Sequence, residues 1–211
     1  IGSSLVSELV ARGHEVKALI RPGADTRALA GLEYEPIEGD LSNRAWLAAA
    51  MKGCDWCFHV AALYALWLRD YKPMIRTNVD GTRNALHAAA DAGCERIVYT
   101  STVGVLRPPG LKRTSPRPSD ERDSARYADM TNEYKRTKWR AEEIARNLAA
   151  KAPVVIVNPT APVGPRDLKP TPTGKIIVDC LNGALPAYLD TGLNWVHVRD
   201  VAVGHILAAE K

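Results

Sequence analysis

The sequence predicts an α/β protein: a parallel sheet wrapped by helices on both faces, the doubly wound arrangement. Three observations carry that prediction. Short apolar runs of strand length recur at 14–20, 33–40, 56–62, 96–102 and 153–158. Stretches with apolar residues at helical spacing stand between them, and this alternation signals a sheet covered on both sides. Long irregular connections leave from the ends of 96–102 and 153–158, where such folds keep their ligand crevice.

Each element has its own reason. "SSLVSELVAR" (3–12) places Leu5, Val6, Leu9 and Val10 at helical spacing, and Gly13 is a natural stop. "HEVKALI" then alternates as a strand ending at Ile20, and "EYEPIEGD" (33–40) supplies the next. A helix is expected near 43–51, a strand at "WCFHVAA" (56–62) and a long helix within 71–92. "RIVYTST" (96–102) is a strand, the helix of Tyr134 follows, and "PVVIVN" (153–158) is the next strand. A helix starts near Thr173, and "VAVGHILAAEK" (201–211) reads as another. Residues 159–172 hold five prolines and are expected not to continue a sheet, because proline has no N–H for a ladder. Residues 103–132 form a Pro- and Arg-rich loop, and long loops in compact domains are usually functional.

A parallel sheet of this kind needs a strand before the helix 3–12. The sequence opens Ile1-Gly2, with no methionine before Met51. The expectation is therefore a fold lacking its first strand, cut from something longer. Such a piece would turn over poorly and bind cofactor poorly by itself.

Composition excludes several classes. With 46% apolar and 25% charged residues, the 211-residue chain reads as a soluble globular protein. No apolar run reaches the roughly 18 residues of a membrane span. The net charge is +4, and the densest basic stretch (107–126) also holds Asp120, Glu121 and Asp123, so no nucleic-acid partner is expected. Four cysteines form no disulfide framework. Cys54 and Cys57 make a lone CxxC that runs into a strand, with no second pair for zinc. Reduced, buried thiols in a cytoplasmic protein are the expectation, and no metal site.

One spacing stands out. Of seven tyrosines, Tyr134 alone has a lysine four residues on, Lys138. Residues i and i+4 share a helix face. The strand "RIVYTST" ends in Ser101 and Thr102, so a hydroxyl, a phenol and an ammonium can converge at a sheet edge. A nearby cation favours phenolate, so Lys138 is expected to draw the Tyr134 pKa down and make it an acid and base. Thr102 would hold the reacting oxygen. A hydride must come from a cofactor, since no side chain carries one.

These residues stand in order with "GDL" (39–41), "HVAA" (59–62), "TNVDGT" (77–82), "YTST" (99–102), "YKRTK" (134–138) and "VRDVA" (198–202). Together they resemble the extended short-chain dehydrogenase/reductase family of the epimerase/dehydratase type, over nearly the whole chain. The resemblance implies an NAD(P)-binding Rossmann fold, with a dinucleotide-binding domain at 1–158. Residues 159–211 would begin a smaller substrate lobe interleaved with the last Rossmann elements. "AALYALWLRD" (61–70), "NPTAPVGPRDLKPTPTGKIIVD" (158–179) and "PAYLDTGLNWVHVRDVAVGH" (186–205) are most similar to hopanoid-associated sugar epimerases, a group near the dihydroflavonol reductases.

The resemblance implies Thr102, Tyr134 and Lys138 as a catalytic triad, with Lys138 also touching the nicotinamide ribose. It implies Gly2 as the last glycine of the phosphate-binding turn, and adenine contacts near Asp40 and Leu41. Ala61 and Ala62 would contribute backbone contacts, Pro159 and Thr160 would border the nicotinamide, and Asn78 would position the catalytic strand and helix. The family usually has serine where Thr102 stands, and threonine keeps the hydroxyl. The residues themselves leave alternatives open. Asp40 reads equally as a turn residue, Ala61 and Ala62 as tight packing, and Asn78 as a helix cap. His59, in an apolar run, reads as a satisfied core histidine. Tyr64, Trp67 and Tyr71 fit either a pocket lining or a core stripe.

The expected reaction is reversible hydride transfer between a nicotinamide cofactor and a secondary alcohol or ketone, ending in reduction or epimerisation. A nucleotide sugar needs cations for its diphosphate, and Arg166, Lys169 and Lys175 are those at hand. NADP(H) is the expected cofactor, with NAD(H) possible. An NAD enzyme places an acid about twenty residues after the glycine turn. Here Ile20 takes that place, and Arg21, suited to a 2′-phosphate, follows. A dinucleotide sensor without chemistry and a scaffold protein are the competing classes. The partner is a small-molecule substrate, and a homodimer stays open.

Overall fold

Alternating strands and helices follow the apolar runs in order. The computed structural model describes residues 1–107, 119–123, 125–168, 170–187, 190 and 192–211. In chain order come α1 (Gly2–Ala11), β1 (Lys17–Ile20), β2 (Glu35–Glu38), α2 (Arg44–Ala50) and β3 (Trp56–His59). α3 (Lys72–Ile75), α4 (Gly81–Asp91), β4 (Arg96–Thr100), α5 (Glu133–Ala149) and β5 (Val154–Val157) follow. β6 (Ala161–Val163), α6 (Pro172–Leu181), β7 (Trp195–His197) and α7 (Val198–Glu210) complete the described elements. They form two compact units, Ile1–Asp40 with Thr160–Lys211, and Leu41–Pro159.

The unit 41–159 is built on the parallel sheet β3-β4-β5. β4 is its middle strand, pairing Trp56↔Arg96 on one side and Ile97↔Val154 on the other. A middle strand needs apolar side chains on both faces, and Ile97, Val98 and Tyr99 are wholly buried. Leu86 and Ala89 of α4 and Ala141 and Ala145 of α5 share one core with Cys57, Ile97 and Tyr99. The alanines let helix backbones come close to the sheet. α5 starts where Asn132 accepts the Lys135 N–H, with Glu133 favourable in the first turn. Asn43 caps α2 in the same way.

The helix expected within 71–92 is interrupted. A π-helical turn, Arg76–Asp80, joins α3 to α4 and turns Asn78 inward. Such turns often mark functional positions.

In the other unit β1 and β2 pair in parallel, from Lys17↔Glu35 to Ile20↔Glu38. Gly13 ends α1 with φ +81°, a conformation glycine adopts without strain. α1 packs on α7, and Arg199 Nε reaches Glu8 at 2.7 Å. One expectation fails here. Residues 159–172 do enter a sheet: β6 pairs with β7, Ala161↔Trp195 to Val163↔His197. The Ala161 N–H donates to the Asn194 carbonyl, so by alternation the Pro162 nitrogen faces away from β7. Proline is tolerated because that side carries no ladder among the described residues.

All four cysteines are free thiols. Cys57 and Cys94 are buried, but Cys180 is exposed because α6 buries none of its residues, contrary to the expectation of buried thiols. Among the described residues no helix is long and apolar enough to cross a membrane.

Candidate active site

Because β3, β4 and β5 are parallel, their carboxyl ends share one edge. β3 leads to Ala61 and Ala62, β4 to Ser101 and Thr102, and β5 to Asn158 and Pro159. α5 lies against this sheet, with Tyr134 in its first turn and Lys138 one turn further on.

Lys138 is 2% exposed. Its Nζ donates to the Thr100 carbonyl at 2.7 Å and lies 4.5 Å from the centre of the Tyr99 ring. Burial strips the ammonium of water and pulls its pKa down to about 7, while Glu142 pushes it up. Tyr134 is half-buried, its ring 4.7 Å from that of Tyr64 at an interplanar angle of 53°. Burial, and then Tyr64, push its phenol up to about 12. This reverses the direction expected from the spacing. Desolvation of the phenol and the neighbouring Tyr64 set the direction, and the Lys138 ammonium is turned to the Thr100 carbonyl and the Tyr99 ring.

Thr102 caps the turn Val103–Val105, its Oγ accepting the Gly104 N–H at 3.1 Å. The hydroxyl proton is left free to donate elsewhere. Tyr99 Oη and Ser101 Oγ are buried without a well-formed hydrogen bond. Burial raises the Tyr99 pKa, and the Ser101 and Thr82 hydroxyls temper the rise.

Asn78 is no helix cap. Its Nδ2 donates to the Leu63 carbonyl and to Thr137 Oγ, each at 3.0 Å, and its Oδ1 accepts the Leu63 N–H at 2.7 Å. It ties the loop after β3 to α5. His59 is a core histidine, bonded to Thr82 at 2.8 Å and stacked on Tyr99. Burial, helped by Lys138, lowers its pKa to about 3, so it stays neutral. Ala61 and Ala62 are exposed, which removes the packing alternative. Tyr64 and Trp67 are 40% and 70% exposed, so they form no core stripe, and Tyr71 is half-buried. Leu41 packs on Gly81, where a Cβ would fall 2.9 Å from Leu41 Cδ1. Asn84, which the motifs missed, holds the Leu41 and Ser42 carbonyls at 2.8 and 3.1 Å.

Gly2, Arg21, Asp40 and Thr160 belong to the other unit. Gly2 opens α1, Arg21 directly follows β1, Asp40 follows β2 and Thr160 precedes β6. Gly2, Arg21 and Asp40 are exposed. Arg166 has φ 72° and reaches the Ala28 carbonyl at 3.4 Å. Lys175 pairs with Asp179 at 2.8 Å, and Lys169 lies outside the described residues. A cleft of about 510 Å³ in this unit is lined mainly by apolar side chains, among them Val163, Leu168, Ile177 and Val178. Among the described residues no three His, Cys, Asp or Glu side chains cluster to hold a metal.

The sequence pattern of the NAD dependent epimerase/dehydratase family matches residues 1–211. The chain belongs to this family. Its members and neighbours are epimerases, dehydratases and reductases, and the parallel α/β fold is theirs. A protein of Synechocystis sp. provisionally named dihydroflavonol 4-reductase is 43% identical over 212 residues, covering 100% of this chain and 60% of the relative. The crystal structure of gox2253 is similar at a TM-score of 0.91 and 46% identity, covering 100% of this chain and 63% of that one. MoeE5, solved in complex with UDP-glucose and NAD, is similar at a TM-score of 0.74 and 28% identity, covering 99% and 68%. The chain thus spans under two thirds of the length of the first two.

Proposed function

We propose that the whole protein catalyses reversible hydride transfer at a secondary alcohol or ketone carbon, using a nicotinamide dinucleotide. The carrying observation is the Lys138 ammonium, buried against the end of β4 one helical turn from Tyr134. Burying a cation is costly. It is retained where its charge acts.

When bound, the nicotinamide supplies or accepts the hydride. Leu41, Ala61, Ala62, Asn78 and Pro159, with Gly2, Arg21, Asp40 and Thr160, are the residues assigned to the cofactor. Small exposed side chains after β3 leave room for it, and the exposed Arg21 fits a 2′-phosphate. NADP(H) is therefore the preferred form. Tyr134, with its phenol near 12, is protonated at neutral pH and donates to the carbonyl oxygen. Thr102 donates a hydrogen bond to the same oxygen and keeps its proton. Negative charge then develops on the phenol, and Lys138 stabilises it.

The Tyr64 ring against Tyr134, with exposed Leu66 and Trp67 in the same loop, favours a ring-bearing ketone as substrate. That matches the reductase name of the Synechocystis relative. A hopanoid-associated sugar epimerase is the second reading, supported by the UDP-glucose in MoeE5. It demands cations for a diphosphate, and Lys175 is already paired. The functional division at 158/159, a homodimer and a cytoplasmic location belong to the same proposal.

The test follows NADPH absorbance with the whole protein against a panel of ring-bearing ketones, and epimer formation by NMR with UDP-sugars. Oxidation with a ketone is expected. NADPH binding with neither oxidation by a ketone nor epimerisation of a UDP-sugar would favour the sensor.

A further inference from the structure

Behind Tyr134, Lys138 and Thr102 lies a second set of polar groups. Glu142, on α5 one turn beyond Lys138, is 4% exposed. Its Oε2 accepts from Asn158 Nδ2 at 2.9 Å, and its Oε1 accepts from Arg146 Nε and Nη2 at 3.0 and 2.6 Å. The same Asn158 Nδ2 donates to the Thr102 carbonyl at 3.1 Å. One amide, at the end of β5, therefore uses both hydrogens to join α5 to the residue that ends the β4 edge.

We propose that Glu142 and Asn158 are positioning residues for the hydride-transfer site: Asn158 clamps the Thr102 backbone to α5, and Glu142 is the buried counter-charge of Lys138. This rests on the reading of Thr102, Tyr134 and Lys138 given above. A buried carboxylate needs partners, and Glu142 finds them in Arg146 and Asn158 while standing one helical turn from Lys138 on the same helix. Among the described residues, the titratable groups that act on or touch Lys138 are His59 from β3, Tyr99 from β4 and Glu142 from α5, with Arg146 bonded to Glu142 and Tyr134 one turn before Lys138 on α5. His59 is held neutral and the tyrosines are protonated at neutral pH. Glu142 is the carboxylate of this set, and it favours the charged form of Lys138 against burial. Arg146, whose side chain is 40% exposed, shares that carboxylate and so moderates its effect.

The Thr102 clamp has a separate consequence. The Thr102 hydroxyl oxygen is held by the Gly104 N–H, and the Thr102 backbone is fixed at its carbonyl by Asn158 and by the Val105 N–H. Loss of the amide would loosen the hydroxyl without removing it.

The experiment titrates Lys138 by NMR in the whole protein labelled with ¹³Cε-lysine, its signal assigned by loss in Lys138→Arg. Glu142→Gln keeps an oxygen for Asn158 but loses the charge, so the Lys138 midpoint is expected to fall by about one pH unit or more. Arg146→Met releases the carboxylate, so the midpoint is expected to rise. Arg146 is half-exposed, so this variant decides the matter even if Glu142→Gln does not fold. Asn158→Ala should leave the midpoint near wild type. It should lower kcat for reduction of 9,10-phenanthrenequinone by NADPH about ten- to a hundredfold, at little change in KM. Unmoved midpoints in both charge variants would overturn the counter-charge, and an unchanged kcat in Asn158→Ala would overturn the clamp. Titration needs no turnover. A wild type that reduces no carbonyl probe would sink the hydride-transfer reading, with the clamp that serves it, while the midpoints still decide the counter-charge.

Discussion

The β4–α5 region and the β6–α6 region treat their side chains in opposite ways. The first buries polar groups: Lys138, Glu142, Thr137 and Asn78 are each under 5% exposed, and each has a hydrogen-bond partner. The second leaves apolar groups in the open. α6 buries none of its residues, and Ile176, Ile177, Val178 and Leu181 are 47%, 38%, 41% and 82% exposed. Its helix is held by local means, the Thr171 cap on Gly174 and the Lys175–Asp179 pair. The contrast separates two uses of sequence. Burying polar groups is costly and is kept where several of them act on one point. An exposed apolar face costs little by itself and marks a surface for contact.

The largest effect should come from Tyr134→Phe. The ring packing against Tyr64 stays, the proton donor is lost, and kcat should fall on the order of a hundred- to ten-thousandfold. NADPH affinity, measured by titration, should hold. A variant within roughly threefold of wild type would erase the functional half of the contrast.

Ile97→Ala probes the packing half. Ile97 is fully buried on β4, so about 2–5 kcal/mol of stability should be lost in a urea melt. A loss under about 1 kcal/mol would mean that β4 is not the packed core it looks to be.

Lys138 gives the region a pH signature. Its folded pKa, about 7, lies below the ordinary 10.5. Between those values the unfolded chain binds a proton that the folded chain does not, so stability from this group rises with pH across that window. The slope approaches about 1.4 kcal/mol per pH unit for one such group. Lys138→Met should remove this slope and raise stability near neutral pH while abolishing turnover. His59 acts on the acid side. Its pKa is lowered from 6.5 to about 3, so its contribution is lost as pH falls through that interval. Urea midpoints across pH, for wild type and Lys138→Met, check the sign.

Much of this was legible in sequence, and the failures share a cause. The strands from β1 to β5 and the helix α5 announce themselves by apolar runs and spacing, and the Tyr134–Lys138 pair by its four-residue interval. The direction of the Tyr134 shift was not legible, because burial depends on neighbours far along the chain. Likewise the partners of Asn78, Asn84 and Asn158 lie 59, 43 and 16 residues away at Thr137, Leu41 and Glu142. β7 spans Trp195–His197, too short for any periodicity to show. Pro162 sits inside β6 because proline bars only the lateral side on which its nitrogen would have to donate. The π turn at Arg76–Asp80 leaves no mark in the apolar pattern.

Arg21→Ala should weaken NADPH binding by about tenfold and leave NADH binding unchanged, as loss of one charge-assisted contact implies. Equal effects on both cofactors would remove Arg21 from the 2′-phosphate. The smallest effect belongs to the exposed helix. Leu181→Ala should change stability by no more than about 0.5 kcal/mol, against the several expected for Ile97→Ala in the same melt.

The most direct test of Tyr134 and Lys138 as a hydride-transfer site follows deuterium. NADPH carrying deuterium at both C4 positions of the nicotinamide is mixed with the whole protein and 1-indanone, a ring-bearing ketone whose alcohol keeps its carbinol hydrogen, and the product is analysed by mass spectrometry and NMR. Deuterium on the carbinol carbon with wild type, and its near absence over the same interval with Tyr134→Phe, is the expected result. No deuterium in the wild-type product, or equal incorporation by the variant, would contradict the assignment.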